Sequence, residues 1–168
     1  GLDVRYLEVS NNDLGPGVGA ELARALEGSR LETFGASGNG LDGSCAAALA
    51  ALVKASPLEA LDVEDNSLGD AGCSTLAAAL PGSHLDALRL DANGITDTGA
   101  RALMVALAAA SPLRVLSVAD NRIGDAAALE LARAFTQVDG GICNLDGNPL
   151  SADALMQLED MSEPTLLH

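Results

Sequence analysis

The run Asp62-Val63-Glu64-Asp65-Asn66 sets three carboxylates within four residues, and Arg89 and Asp91 follow one strand-like segment later. Carboxylates grouped in this way could hold a cation, move protons, or attract a basic surface. "DVEDN" resembles the start of a calcium loop, but no glutamate is placed to close the site with two oxygens. The two histidines, His84 and His168, fall in no metal-ligand spacing and beside no plausible nucleophile. The glycine-rich "GPGVG" at 15–19 lacks the lysine and the spacing of a phosphate loop, and it is expected in a turn. Cys45, Cys73 and Cys143 are odd in number and form no C-x-x-C pair. They read as buried free thiols in a reducing compartment, rather than as a disulfide framework or a zinc site. No catalytic residue, metal or cofactor is assigned, and the chain reads as non-enzymatic.

What remains is binding, and charge narrows the partner. Twenty-four acidic residues against nine basic ones give a net charge of −15, and Lys54 is the only lysine. That field repels phosphate backbones, which disfavours nucleic acid, and it speeds encounter with basic proteins. The longest apolar runs, 45–53 and 102–110, are about half a membrane span, so no membrane insertion is expected. With the free thiols, this points to an intracellular, cytoplasmic chain. Aromatics make up only 2% of the residues, so a core must be built from aliphatic side chains and alanine.

The elements that position these groups are set by an internal repeat. The frame L-x-x-L-x-L-x-x-N-x-[LI] fits Leu85, Leu88, Leu90, Asn93 and Ile95, and again Leu58, Leu61, Val63, Asn66 and Leu68. It fits Leu31, Phe34, Ala36, Asn39 and Leu41, and before that Val4, Leu7, Val9, Asn12 and Leu14. Downstream it fits Leu113, Leu116, Val118, Asn121 and Ile123, and in degraded form Gly140, Cys143, Leu145, Asn148 and Leu150. The asparagines are thus spaced by 27, 27, 27, 28 and 27 residues, a series that chance does not give. After each one an apolar i, i+4 pair set in alanines marks the buried stripe of a helix, as in Leu76 and Leu80 or Leu103 and Leu107. Asp70, Asp97 and Asp125, four residues past their asparagines, are expected to N-cap those helices. The extra residue of the 28-residue unit falls between Leu107 and Leu113, after the fourth helix.

This pattern resembles the leucine-rich repeat family, in particular its ribonuclease-inhibitor-like subclass with the helical tail L-x-x-x-G-x-x-x-L-x-x-x-L. Gly72 and Gly99 match the small residue of that tail, while Val18, Cys45, Ala127 and Ala154 replace it elsewhere. The resemblance implies an α/β leucine-rich-repeat solenoid, with a parallel sheet on the concave face and helices on the convex face. Residues 1–168 would form one domain, with repeats at about 4–30, 31–57, 58–84, 85–112, 113–139 and 140–163. One such repeat cannot bury its leucines alone, so the units must stack. The first strand has no obvious polar cap. The chain therefore reads as a segment of a longer protein, or as one whose N-terminal edge is covered by another chain or by upstream repeats.

Strand alternation selects the candidate surface. Its three outward columns include Tyr6 and Val115, then Glu8, Asp62, Arg89 and Asn144, then Glu64 and Asp91, with Asp65 following Glu64. A cluster of Asp62, Glu64, Asp65 and Asp91 around Arg89 suits a basic protein partner, and Val115 with Ile142 offers an apolar anchor. The six asparagines, Asn12, Asn39, Asn66, Asn93, Asn121 and Asn148, are expected to be structural, serving backbone groups where strand turns to helix. Members of the subclass serve as inhibitors, as sensor domains of immune receptors and in cytoskeletal assemblies. The expected function is a protein-interaction module using the concave sheet. The alternative is a structural subunit held by its open ends and convex helices. A GTPase-activating protein of the Ran-directed type resembles this repeat too, but no residue here matches a catalytic position.

Overall fold

Each repeat has two halves with opposed needs: a short β-rich stretch with alternating leucines, and an alanine-rich stretch with one apolar stripe. The computed structural model of the chain describes residues 4–109 and 111–162. It resolves those halves as β1 (Tyr6–Glu8), α1 (Gly15–Leu26), β2 (Thr33–Gly35), α2 (Ala46–Ala55), β3 (Ala60–Asp62) and α3 (Gly69–Ala77). There follow β4 (Ala87–Arg89), α4 (Asp97–Ala108), β5 (Val115–Ser117), α5 (Asp125–Phe135), β6 (Ile142–Asn144) and α6 (Ala152–Ser162). A 3₁₀ turn, Gly43–Cys45, leads into α2. The strands form one six-stranded parallel sheet in sequence order.

The register repeats the sequence frame without a slip. Leu7, Phe34, Leu61, Leu88, Leu116 and Cys143 are successive partners across the sheet. All point to the helices, and Phe34, Leu61, Leu88 and Leu116 are sealed from solvent. Each such side chain contributes about 2 kcal/mol of transfer free energy. Parallel strands lie about 4.8 Å apart and packed helices about 8–10 Å, so the helix layer is the longer arc and the sheet face is concave. At the ends the core opens. Val4, Leu7 and Val9 in the first repeat, and Cys143, Leu150 and Leu158 in the last, are only partly buried.

A left-handed residue turns each strand toward its helix. Asn11, Gly38, Asp65, Ala92, Asp120 and Gly147, each just before a frame asparagine, have φ between 49° and 70°. Asn, Asp and Gly tolerate that region, whereas alanine does so at a cost of about 1–2 kcal/mol. The frame asparagine then serves the backbone that the turn leaves without sheet partners. Asn66 Nδ2 donates to the carbonyls of Ala36, Val63 and Glu64, and its Oδ1 accepts from the amides of Asn39 and Leu41. Asn39, Asn93 and Asn121 are likewise buried and reach back to the preceding repeat. Asn12, at the edge, is exposed and donates only to its own repeat, at Val9 and Ser10.

The capping expectation requires a correction. Asp70, Asp97 and Asp125 lie inside the first turn of α3, α4 and α5, and the N-cap positions are Leu68, Thr96 and Gly124. The carboxylates reach forward instead, to the next helix start. Asp70 accepts from Thr96 N at 2.8 Å, Thr96 Oγ1 at 2.7 Å and Gly99 N at 3.0 Å. Asp97 accepts from Gly124 N at 2.7 Å, and Asp125 from Ser151 N at 2.8 Å and Ser151 Oγ at 2.7 Å. These bonds hold the carboxyls of Asp70 and Asp125 below the usual carboxylate range, against the opposing effect of burial. Stacked helices place a foreign helix start within reach of each acid, which a rule about single helices does not anticipate.

Candidate protein-binding face

The sheet face away from the helices carries the candidate residues, and register decides which of them meet. Asp62 pairs with Arg89 across β3 and β4. Arg89 Nη1 lies 3.8 Å from Asp62 Oδ2, and its Nε lies 3.8 Å from Glu64 Oε1. One half-exposed guanidinium thus stands between two carboxylates. At this distance and exposure each pair contributes at most about 1 kcal/mol.

The acids are also tied to their own scaffold. Asp62 Oδ1 accepts from Ser37 Oγ at 2.5 Å and from Glu64 N at 3.1 Å. Asp91 Oδ1 accepts from Ser117 Oγ at 2.6 Å and from Ala119 N at 2.5 Å. Glu64 lies beside Asp91 and is half-buried. Burial, the hydrogen bond to Asp91 and the charges of Asp62 and Asp91 push the Glu64 carboxyl up to about 7, and Arg89 offsets part of this. Asp65 is exposed at its left-handed turn.

The remaining candidates are dispersed. Tyr6 and Glu8 lie on the first strand, where Glu8 accepts from Ser10 N at 3.0 Å and from the Ser10 hydroxyl. Those bonds lead the causes that lower the Glu8 carboxyl. Val115 is half-buried, and its register partner Ile142 is exposed. Asn144, on β6, accepts from Asp146 N through Oδ1 at 3.1 Å. Five strand spacings, about 24 Å, separate Tyr6 from Ile142, so one compact ligand cannot touch both.

A further column escaped the sequence reading, which began one residue later. Arg5, Glu32, Glu59, Asp86 and Arg114 follow the first apolar position of successive repeats, and each offers its carbonyl to the next strand's amides. Arg5 Nη1 meets Glu32 Oε1 at 2.6 Å, and Arg114 Nε meets Asp86 Oδ1 at 2.5 Å. Glu59 stands between two acids. The signal was available in the frame: the residue after Leu31, Leu58 and Leu85 is acidic each time.

Among the described residues no group of three His, Cys, Asp or Glu side chains could hold a metal ion. β3 ends at Asp62, so Glu64 and Asp65 of "DVEDN" lie in the turn beyond the strand, Val63 points into the core and Asn66 is engaged by backbone. "GPGVG" forms the first turn of α1, and a Cβ on Gly19 would run into the Leu41 side chain. His84 is exposed between α3 and β4, and His168 lies outside the described residues. The thiols of Cys73 and Cys143 are pushed up to about 12 by burial, and burial also raises Cys45. All three are free. No helix among the described residues is long and apolar enough to cross a membrane.

The family model described as "Leucine Rich repeat" matches three consecutive stretches, residues 54–77, 83–104 and 109–132. No curated protein matches the sequence. Among solved structures, "Leiomodin-1 Actin-Binding Site 2 (ABS2)" is similar in fold, with a TM-score of 0.68 at 17% identity over 79% of each chain. Six strands in parallel register, six helices on one side and an asparagine at every turn agree with both comparisons: the fold is an α/β leucine-rich-repeat solenoid, and its middle repeats match the leucine-rich repeat family model.

Proposed function

We propose that the chain is a non-enzymatic protein–protein interaction module of the ribonuclease-inhibitor-like subclass, which holds a basic protein against its concave sheet face. One observation carries the reading: acids stack in neighbouring columns across the middle repeats. Glu32, Glu59 and Asp86 form one column, and Asp62, Glu64 and Asp91 flank Arg89 in the next two, with Asp65 beside them. Rigid strands fix the separations, so a partner with matching lysines or arginines orders few side chains of this chain on binding. Steering by such a field shows mainly in the association rate and fades with salt. Tyr6, Glu8, Val115 and Asn144 would form the periphery of a large footprint. Nucleic acid is not the proposed partner, and the free thiols suit an intracellular, cytoplasmic setting.

The test pairs affinity capture by the wild-type chain with capture by a Glu64→Arg, Asp91→Arg double variant, each at low and at high salt. A basic protein retained only by the wild type, and released by salt, supports the reading. Partners retained equally by both move the interface elsewhere. The second reading, a structural subunit held by its ends and convex helices, is favoured by the partly exposed apolar residues of the first and last repeats. It makes substitutions at Leu7, Val9, Arg24, Arg101 or Arg133 the damaging ones.

A further inference from the structure

Of the eight asparagines in the chain, only two, Asn39 and Asn93, are followed by glycine. Both belong to the buried ladder, at 0% and 2% exposure. Gly40 and Gly94 are exposed and hold φ of 65° and 71°, a region costly for any residue with a Cβ. The turn itself therefore asks for the glycine. With no Cβ to shield it, the glycine nitrogen is the backbone amide best able to attack the side-chain amide before it.

In the closed fold that attack is blocked. Asn39 Nδ2 donates to Val9 O and Ser37 O, both at 3.0 Å, and its Oδ1 accepts from the amides of Asn12 and Leu14. Asn93 Nδ2 donates to Val63 O and Asp91 O, and its Oδ1 accepts from Leu68 N. Each side-chain amide is thus pinned to the preceding repeat and to its own turn, and it cannot swing toward the next nitrogen until those bonds break. The two sites differ in what must open. Asn39 leans on the first repeat, where Val4, Leu7 and Val9 are only partly buried and Asn12 is exposed. Asn93 leans on the third, which has strands on both sides.

We propose that Asn39 and Asn93 are sites of spontaneous deamidation that stay silent in the closed fold, react when their repeat opens, and then bar its closure. The Gly40 nitrogen attacks Asn39 Cγ. A new C–N bond forms, the Cγ–Nδ2 bond breaks, and ammonia leaves with the glycine amide proton. Water then opens the cyclic imide at either carbonyl, giving aspartate or, with one more methylene in the main chain, isoaspartate. Asn93 and Gly94 react alike, and water is the only other reactant. Either product carries a carboxylate, which accepts hydrogen bonds and donates none. The carbonyls of Val9 and Ser37, or of Val63 and Asp91, would then face a buried negative charge where their donor had been. A glycine that the turn requires thus gives an opened chain a one-way exit.

The experiment incubates the full chain at mildly alkaline pH, in native buffer and in urea beyond its midpoint, and follows both sites by peptide mass spectrometry. Reclosing is fast against ring closure, so conversion tracks the open population, and at Asn93 it should be at least about 100-fold faster in urea. In native buffer Asn39 should convert about tenfold faster than Asn93, because an edge repeat opens ahead of an interior one. In urea the two rates should be about equal, since the fold no longer distinguishes them. There Gly94→Ala should lose conversion at Asn93 and keep it at Asn39, with no strained turn to confuse the reading. After dilution from urea, modified chains should collect in the size-exclusion fraction that fails to regain helix signal by circular dichroism. Conversion as fast in native buffer as in urea, or none in urea, would overturn the proposal. So would equal native rates at the two sites, or modified chains that refold as well as unmodified ones.

Discussion

Replacing Asn93 by alanine tests how much of the fold rests on side-chain amides. Asn93 Nδ2 donates to Val63 O at 2.9 Å and Asp91 O at 3.0 Å, and Oδ1 accepts from Leu68 N at 3.1 Å. The two carbonyls keep a second donor each, from Asn66 Nδ2 and Asp65 N. Their lost bonds should therefore cost about 0.5–1.5 kcal/mol apiece. The Leu68 amide, buried with its repeat, is orphaned, at about 1–3 kcal/mol. Together the change should destabilise by about 3 kcal/mol. Asn12→Ala is the internal control, because Asn12 is exposed and its acceptor Val9 O also receives Asn39 Nδ2. It should cost under about 1 kcal/mol. In urea, with a slope of about 2 kcal/mol per molar, the Asn93 variant should move its midpoint down by about 1.5 M. Equal midpoints for the wild type and Asn93→Ala, or equal losses for the two variants, would refute the assignment.

Two further outcomes follow from the same geometry. Ala92→Gly, at φ 51°, should stabilise by about 1 kcal/mol in the same titration, since glycine accepts the left-handed turn freely. Glu64→Gln should change how the melting temperature depends on pH. With the folded carboxyl at about 7 against an ordinary 4.5, the folded chain holds a proton in that window that the unfolded chain has lost. The group's contribution is fully present below 4.5 and is lost as pH rises through 7. Wild-type melting should thus fall between pH 5 and 8 more than that of the glutamine variant, and parallel curves would contradict this. Asp70 and Asp125, with lowered folded values, act in the opposite sense and only in acid, as pH falls below their ordinary 3.8.

The parts of this fold legible in the sequence were those written in its period. A 27-residue spacing of asparagines fixes which strand residues become lateral neighbours, so the Asp62–Arg89 pairing follows from counting alone. Interactions that cross between repeats through the helix layer were not legible in the same way. The forward reach of Asp70 to Thr96 and Gly99 depends on how closely two helices stack, and sequence rules for capping refer to one helix at a time. The raised Glu64 carboxyl was only half visible: adjacent acids imply repulsion, but the burial that leads the shift depends on how the turn after β3 packs.

The two ladders run in opposite directions along the chain. Each buried asparagine serves the repeat before it, and each of Asp70, Asp97 and Asp125 serves the repeat after it. From the third repeat to the fifth, each unit therefore gives backward through its asparagine and forward through its aspartate, whereas Pro16 and Gly43 stand at the aspartate's place in the first two repeats. Length is quantised as a result. Excising one whole unit, such as residues 58–84, would bring Asn93 onto the backbone that Asn66 served, whereas removing 26 residues or 29 from the same place would leave both ladders out of step. The single exception, the added residue before Leu113, leaves Leu88 paired with Leu116 in the common register. Growth or shrinkage of this protein by gene duplication or by engineering thus has one natural increment, and one turn in which the count can vary.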